Sequence, residues 1–516
     1  MHGTRGRDNA APEGAVKHSP AGAWRHRRVV TACGAVIALY VLLLTPDRAP
    51  APLDNPKRQP FAWNQDSRWD ALERRFNDAR ALGCARISGP TGRALRRGQS
   101  FVSAIITRRR GAAAFVYDSI EENLFELGTM VGACRERLPD YIRLVTETRA
   151  AVKHQSEFWD VDAPAAKDRL YRLLYGSRAA LEEVMLQGAQ DSVPSLVLGE
   201  NERSETPSAI VLGVTIHSGD FLVSRAGAAV SSLIAVGSDY PGNFSHVALA
   251  YVEPKTSLAY VIESNSDRGV EIHNLEQYLR DVKLRVMVLR LRADLPALVA
   301  DPMLPHEAAT RALANAKRRH IPYDFEMDHH EHSRMYCSEV LSSVFDEFRV
   351  KLWMGISSIS NPGIIAWLAA LGVRHLEPQE PSDLEYDPQL RVVAEWRDPE
   401  TLYSDHVDNV VTEAMLNGGE RGERLDYSWY LLPPARLVKL YSSVMNLLGG
   451  VGPIPEGMSA TVGLRVLRYT TAHGAIKQRV LEWAAQFKQR RGYTAPEWEL
   501  LRFARRAKAE LRPQGP

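Results

Sequence analysis

The sequence lacks most of the features that announce a function class. Four cysteines in 516 residues are too few for a disulfide scaffold. Neither sign of charge dominates: 64 Lys and Arg against 62 Asp and Glu leave a net +2, which argues against a general nucleic-acid binder. No zinc-finger spacing, Walker loop, GxGxxG or GxSxG motif is present, and no internal repeat is evident. What remains is a chain with 45% hydrophobic and 24% charged residues, ordinary for a folded protein. Its length exceeds what one core usually serves, so two or three domains are expected.

Long apolar runs are scarce too, with one exception. Val29 to Thr45 is uncharged and mostly apolar, and Arg25, Arg27 and Arg28 precede it, with Arg5, Arg7 and Lys17 further upstream. At 1.5 Å per residue the run spans roughly 25 Å, slightly short of a hydrocarbon core of about 30 Å but tolerable at modest cost. The expectation is a basic cytoplasmic tail (1–28), a single-pass transmembrane anchor in the inner membrane (29–45), and a catalytic part facing the periplasm or cell exterior. A cleaved signal peptide is the rival, although no A-x-A site ends the run. The lipobox-like Val30-Thr31-Ala32-Cys33 lies at the wrong end of it, and Arg27-Arg28 lacks the rest of a twin-arginine motif.

Prolines 46, 50, 52, 56 and 60 mark an extended linker over 46–65. A helical region is expected over 66–198: Trp69, Leu72, Phe76 and Ala79 fall at helical spacing, as do Ile120, Leu124, Leu127 and Val131. Cys84 and Cys134 lie here, as a bridge if the region is exported or otherwise as two buried thiols. The arginines at 93, 96, 97, 108, 109 and 110 form either a solvated face or a contact for lipid head groups. The texture turns to β near 205, and a catalytic domain is expected over 205–400. Beyond it, 401–516 reads as mainly helical, with a basic amphipathic tail over 476–511. Leu352 to Val373 is rich in Ile, Leu and Trp but broken by Ser357, Ser358, Ser360, Asn361, Pro362 and Gly363, which excludes a second span. Ile364, Ile365, Trp367, Leu368 and Leu371 then belong to a core helix, or to an apolar lid or membrane-dipping surface.

Three segments carry the chemistry. His246 lies in the strand-like run Phe244 to Tyr251, Glu263 in the run Leu258 to Ser264, and Cys337 at the start of a segment with Val340, Leu341, Val344 and Phe345 at helical spacing. Thiol catalysis needs a thiolate, a base and a group that orients the base. With a turn near 255, Ala250 pairs near 260, and His246 and Glu263 fall opposite or diagonal on adjacent strands. A carboxylate on one imidazole nitrogen leaves the other for the nucleophile. A cysteine at a helix start feels the positive end of the helix dipole, and its backbone N–H is a natural oxyanion donor. The alternative for a lone cysteine is a buried small hydrophobe. Asp328-His329-His330-Glu331-His332 has metal-capable side chains, but a solvated loop is the preferred reading, and neither a metal nor a cofactor is assigned. His217, His273, His306 and His320 are read as surface or structural.

Gly219-Asp220, Phe244-Ser245-His246-Val247, Tyr260-Val261-Ile262-Glu263, Pro322-Tyr323-Asp324-Phe325 and Tyr336-Cys337-Ser338-Glu339 together resemble the bacterial YiiX/YaeF-type permuted papain-like amidases of the NlpC/P60 superfamily. Pro381 to Asp387 and Val393 to Arg397 are similar to the closing segment of some members. The resemblance covers roughly 210–400. It implies an α+β fold with a small antiparallel sheet, His246 as base, Glu263 as orienting group, Cys337 as nucleophile, and Tyr323 and Tyr336 as substrate-binding residues. The histidine-rich 328–332 loop departs from the family, which tends to be acidic there. The expected function is hydrolysis of an amide or peptide bond, in cell-wall material or a small peptide. The alternatives are a lipid or thioester acyl hydrolase or transferase, and a catalytically silent ligand-binding module. The expected partners are a peptide, amide or acyl substrate and the membrane, with no nucleic acid.

Overall fold

A computed structural model of the chain describes residues 20–45, 47, 53–55, 60–63, 66–188 and 193–511. The expected basic tail and proline-rich linker lie largely outside the described residues.

Helix α1 (Pro20–Leu43) occupies the position of the expected anchor. Among the described residues, however, no helix is long and apolar enough to cross a membrane. The uncharged part of α1 begins only at Val29, so it extends roughly 22 Å at 1.5 Å per residue, against a hydrocarbon core of about 30 Å. The expected transmembrane helix is corrected accordingly, to an apolar helix without a demonstrated span.

Five helices follow: α2 (Asp66–Leu82), α3 (Cys84–Ile106), α4 (Val116–Ala133), α5 (Leu138–Ser156) and α6 (Pro164–Leu186). Their apolar stripes meet in one core that includes Leu95, Ile120, Leu127, Tyr141, Val152 and Leu181. A disulfide joins Cys84 to Cys134, with Cα atoms 4.8 Å apart.

The next elements in chain order are β1 (Leu196–Leu198), the hairpin β2 (Ser208–Val211) and β3 (Val214–His217), then β4 (Phe221–Ala226), helix α7 (Ala229–Val236), β5 (His246–Val252), β6 (Ala259–Asn265), β7 (Gly269–Asn274), α8 (Leu275–Arg280) and β8 (Lys283–Leu291). After α9 (Pro296–Ala300), α10 (Leu304–Arg318), α11 (Glu339–Glu347) and α12 (Pro362–Ala370), the chain returns as β9 (Leu390–Trp396). Seven strands form one antiparallel sheet in the order β1-β9-β8-β4-β5-β6-β7, and β2 pairs with β3 apart from it. Alternate residues of β5 enter different cores: Val247, Leu249 and Tyr251 face α10 and α11, while Ala248, Ala250 and Val252 face the β2–β3 side. Burial on both faces explains why the strand reads as a nearly continuous apolar run.

Helices α13 (Pro399–Glu420), α14 (Leu432–Leu447), α15 (Ala460–Arg491) and α16 (Glu497–Leu511) complete the fold. Ile476, Val480, Ala484 and Phe487 of α15 pack with Leu500, Ala504 and Ala507 of α16 against α13.

A buried ionic web ties α5 and α6 to the sheet. Arg149 reaches Glu385 at 2.7 Å and Glu395 at 2.8 Å, and Arg178 also holds Glu385. Arg285 of β8 binds Glu182 of α6 and Asp405 of α13, each at 2.7 Å. Desolvating so many charges is costly, so each carboxylate depends on its guanidinium partners.

Candidate active site

The site is assembled at the end of the sheet where β5 begins. Ser382 fixes the approach to that strand: its hydroxyl accepts from the N–H of Phe244 and donates to the Phe244 carbonyl, both at 2.9 Å. Ser245 N–H donates to the Ser224 carbonyl at 3.0 Å, and Ser224 pairs with His246 across β4 and β5. Between β5 and β6 the register sets Ala250 opposite Val261 and Leu249 opposite Ile262. Continued by the same step, it puts Glu263 diagonal to His246 on the same face. The two side chains meet: Nε2 of His246 is hydrogen-bonded to Oε2 of Glu263.

Cys337 is delivered from the opposite direction. Met335 N–H donates to the Pro322 carbonyl at 2.9 Å, and Ser264, next to Glu263, donates to the Met335 carbonyl at 2.6 Å. The strand that carries the carboxylate thus also holds the peptide leading to the thiol. Cys337 sits in a turn two residues before α11 rather than within it, because the Glu339 carboxylate folds back to accept the Tyr336 N–H at 2.8 Å and the helix proper starts there. Cys337 is only 4% exposed. It lies within hydrogen-bonding reach of the His246 imidazole, whose Nδ1 is the nitrogen not used by Glu263.

Burial works to lower the imidazole pKa. The Glu263 charge, hydrogen bonds with Cys337 and Glu263, and the negative charge of a Cys337 thiolate outweigh it, raising the pKa to about 10. Burial likewise works to raise the Glu263 carboxyl, but the His246 charge and hydrogen bond prevail and hold it below its ordinary value. Both shifts favour a protonated imidazole beside the Glu263 carboxylate. His273 of β7 adds a second contact to Glu263, 3.5 Å from Oε1, and stands 3.4 Å from Glu271.

Tyr323 and Tyr336 are both buried in the core beside Cys337. Burial, then the negative charge at Cys337, raises the Tyr323 phenol well above its usual value. The Tyr336 hydroxyl accepts the backbone N–H of Gln379 at 3.1 Å, so a protein group already occupies it. Segment 378–381 covers this side of the site. Trp353, at a left-handed φ of 58°, donates its indole N–H to the Glu380 carbonyl at 2.8 Å, and Ser338 donates to the Gln379 carbonyl at 2.6 Å. Burial, then Asp383 and Cys337, raises the Glu380 carboxyl well above its usual range. Among the described residues the buried Gln379 side-chain oxygen has no hydrogen-bond partner.

Sequence reasoning read His273 as surface or structural without its contact to Glu263, and it did not single out Gln379 or Glu380. The first was legible in principle, since β7 pairs with β6 and places His273 opposite Val261. The other two lie more than forty residues from Cys337 and carry no local signal. Other motif residues are scaffold. Asp220 takes a two-point bond from Arg290, 2.7 Å at each oxygen, and position 219 requires glycine, since its φ is 95° and a Cβ there would strike Pro305. In the 328–332 loop, His332 meets Glu339 at 3.3 Å and His329 packs on His330. Among the described residues, the group gathered closely enough to hold an ion is Cys84, Cys134 and Glu136, whose two cysteines are already bonded. Cavities of about 770 and 700 Å³ lie in the helical layer, lined by residues such as Arg172 and Trp63, away from Cys337.

Helices packed on one antiparallel sheet, with Cys337, His246 and Glu263 near one end of it, make a mixed fold consistent with the α+β papain-like class. Residues 215–393 match the model of a family described as permuted papain-like amidase enzyme, YaeF/YiiX, which is a family of amidase and peptidase enzymes. No curated protein and no solved structure matches the chain.

Proposed function

We propose that the protein is a cysteine hydrolase that cleaves an amide or peptide bond through Cys337, His246 and Glu263. The observation that carries this reading is the bond from Glu263 to one imidazole nitrogen of His246 with Cys337 beside the ring. In this mechanism the Cys337 thiolate attacks the carbonyl carbon and the imidazolium gives its proton to the departing nitrogen. The neutral imidazole then takes a proton from water, which hydrolyses the thioester. Glu263 holds the ring and favours its charged form. Among the described residues the Cys337 N–H has no acceptor, which supports a role in binding the developing oxyanion.

The disulfide between Cys84 and Cys134 supports placing these residues in an oxidising compartment, on the envelope side of a membrane. The acyl-lipid alternative drew on 352–373 as an exposed apolar surface. Ile364, Ile365, Trp367 and Leu368 are instead buried in a core with α13 and α15, so that support is withdrawn.

The test is covalent trapping of the full chain with a peptidyl chloromethyl ketone, mapped by mass spectrometry. An adduct on Cys337 that disappears in His246→Ala supports the reading. Modification confined to the exposed Cys33 would leave a binding module.

A further inference from the structure

Helix α14 is amphipathic the wrong way round. Leu437, Leu440, Tyr441, Val444, Leu447 and Leu448 recur at helical spacing, as a core-facing stripe does, yet all are exposed, Leu447 at 86% and Leu448 at 78%. Every exposed side chain between 434 and 448 is apolar. The polar residues point inward: Arg436 bonds the Leu43 carbonyl at 2.9 Å and Asp47 at 2.6 Å, and Lys439 bonds the Pro455 carbonyl at 2.7 Å. Trp429, Tyr430 and Leu431, just before the helix, are exposed too. Contiguous apolar surface of this extent is rare on a protein that meets only water.

We propose that α14, with Trp429 to Leu431, lies in the surface of a lipid bilayer, so that an interfacial helix holds the protein on the membrane. Two observations select a bilayer over a second protein copy. First, α14 continues into α1 through the Arg436 bonds, and the apolar side chains of α1 are exposed around the helix: Val29, Val30, Val36, Ile37, Leu39 and Leu42 share no single face. A second copy docked on α14 covers one stripe of a helix and leaves most of this α1 surface bare, whereas a bilayer surface meets both helices at once. Second, Trp429, Tyr430 and Tyr441 are the residue types that settle at the head-group level, with an apolar body and a polar tip. The loop after α14 reaches the active site: Glu456 pairs with His320 at 2.8 Å, and Gly457 packs on Tyr323 and Phe325. Docking through α14 therefore holds the Tyr323 wall one loop away from the bilayer.

The experiment uses the full chain with Cys33 and Cys337 replaced by serine, so it does not depend on the catalytic reading. Leu447→Cys carries an environment-sensitive fluorophore, and Lys317→Cys, exposed on α10, serves as control. Vesicles of phosphatidylethanolamine and phosphatidylglycerol with brominated acyl chains are then added. The expected result is a blue shift and quenching at position 447 and neither at 317. Unchanged emission at 447 in vesicle-bound protein would overturn the proposal, leaving α1 as the attachment. A blue shift that needs no vesicles and follows dimer formation in sedimentation would also overturn it and assign the face to a second copy.

Discussion

Helices α12 and α14 are both rich in Leu, Ile, Val and Trp or Tyr, and they end in opposite surroundings. In α12 the Asn361 side chain accepts the N–H groups of Gly363 and Ile364, and Gly363 packs on the Gly419 backbone. Trp367 donates its indole N–H to the Glu423 carbonyl at 2.6 Å, and its ring lies on Gly419. Gly419 in α13 makes room for that approach. Only one side of α14 is covered, by α15, and its larger apolar residues point away from it. Composition marks a helix as apolar. Whether something covers it depends on residues far away in the chain.

Substitutions on the two helices separate these cases. The largest effect is expected from Trp367→Ala, which opens a cavity and leaves the Glu423 carbonyl without its donor: about 3–5 kcal/mol of stability lost in urea unfolding. Ile365→Val, also buried in this core, is expected to cost about 0.5–1.5 kcal/mol. Leu447→Gln is expected to change stability by no more than about 0.5 kcal/mol, because that side chain is 86% exposed, while vesicle binding falls. A large stability loss in Leu447→Gln would erase the contrast.

A subtler effect concerns pH. The folded-state pKa of His246, about 10, lies above its unfolded value near 6.5. Its contribution to stability is therefore fully present below about pH 6.5 and lost as pH rises through about 10. The stability difference between the parent protein and His246→Gln should shrink across that window, as read by chemical unfolding at a series of pH values. A difference that stays constant would mean that the imidazole is not held in its charged form.

The central constellation was legible because its parts are local. Strand alternation placed His246 and Glu263 on one face, and the turn near 255 brought them together, with Ala250 pairing to Val261, the partner near 260 that the turn implied. Helical spacing after Cys337 announced α11, but the fold-back of Glu339 that delays its start is a side-chain event no periodicity records. Gln379 and Glu380 reach the site only because Trp353 and Ser338 hold their carbonyls. Glu385 lies in a segment that resembles the family, yet it anchors Arg149 and Arg178 from helices more than two hundred residues earlier. The outward stripe of α14 was invisible for the same reason that α12 was ambiguous: a spacing of three and four looks the same whether it faces a core or a bilayer.

The most direct test of the central claim is the rate of Cys337 alkylation at neutral pH, with Cys33 replaced by serine and the Cys84–Cys134 bridge intact. Cys337 is expected to react faster than a free thiol, to lose most of that excess rate in His246→Ala, and to lose a smaller part of it in Glu263→Gln. A rate no faster than that of a free thiol and indifferent to both substitutions would contradict it.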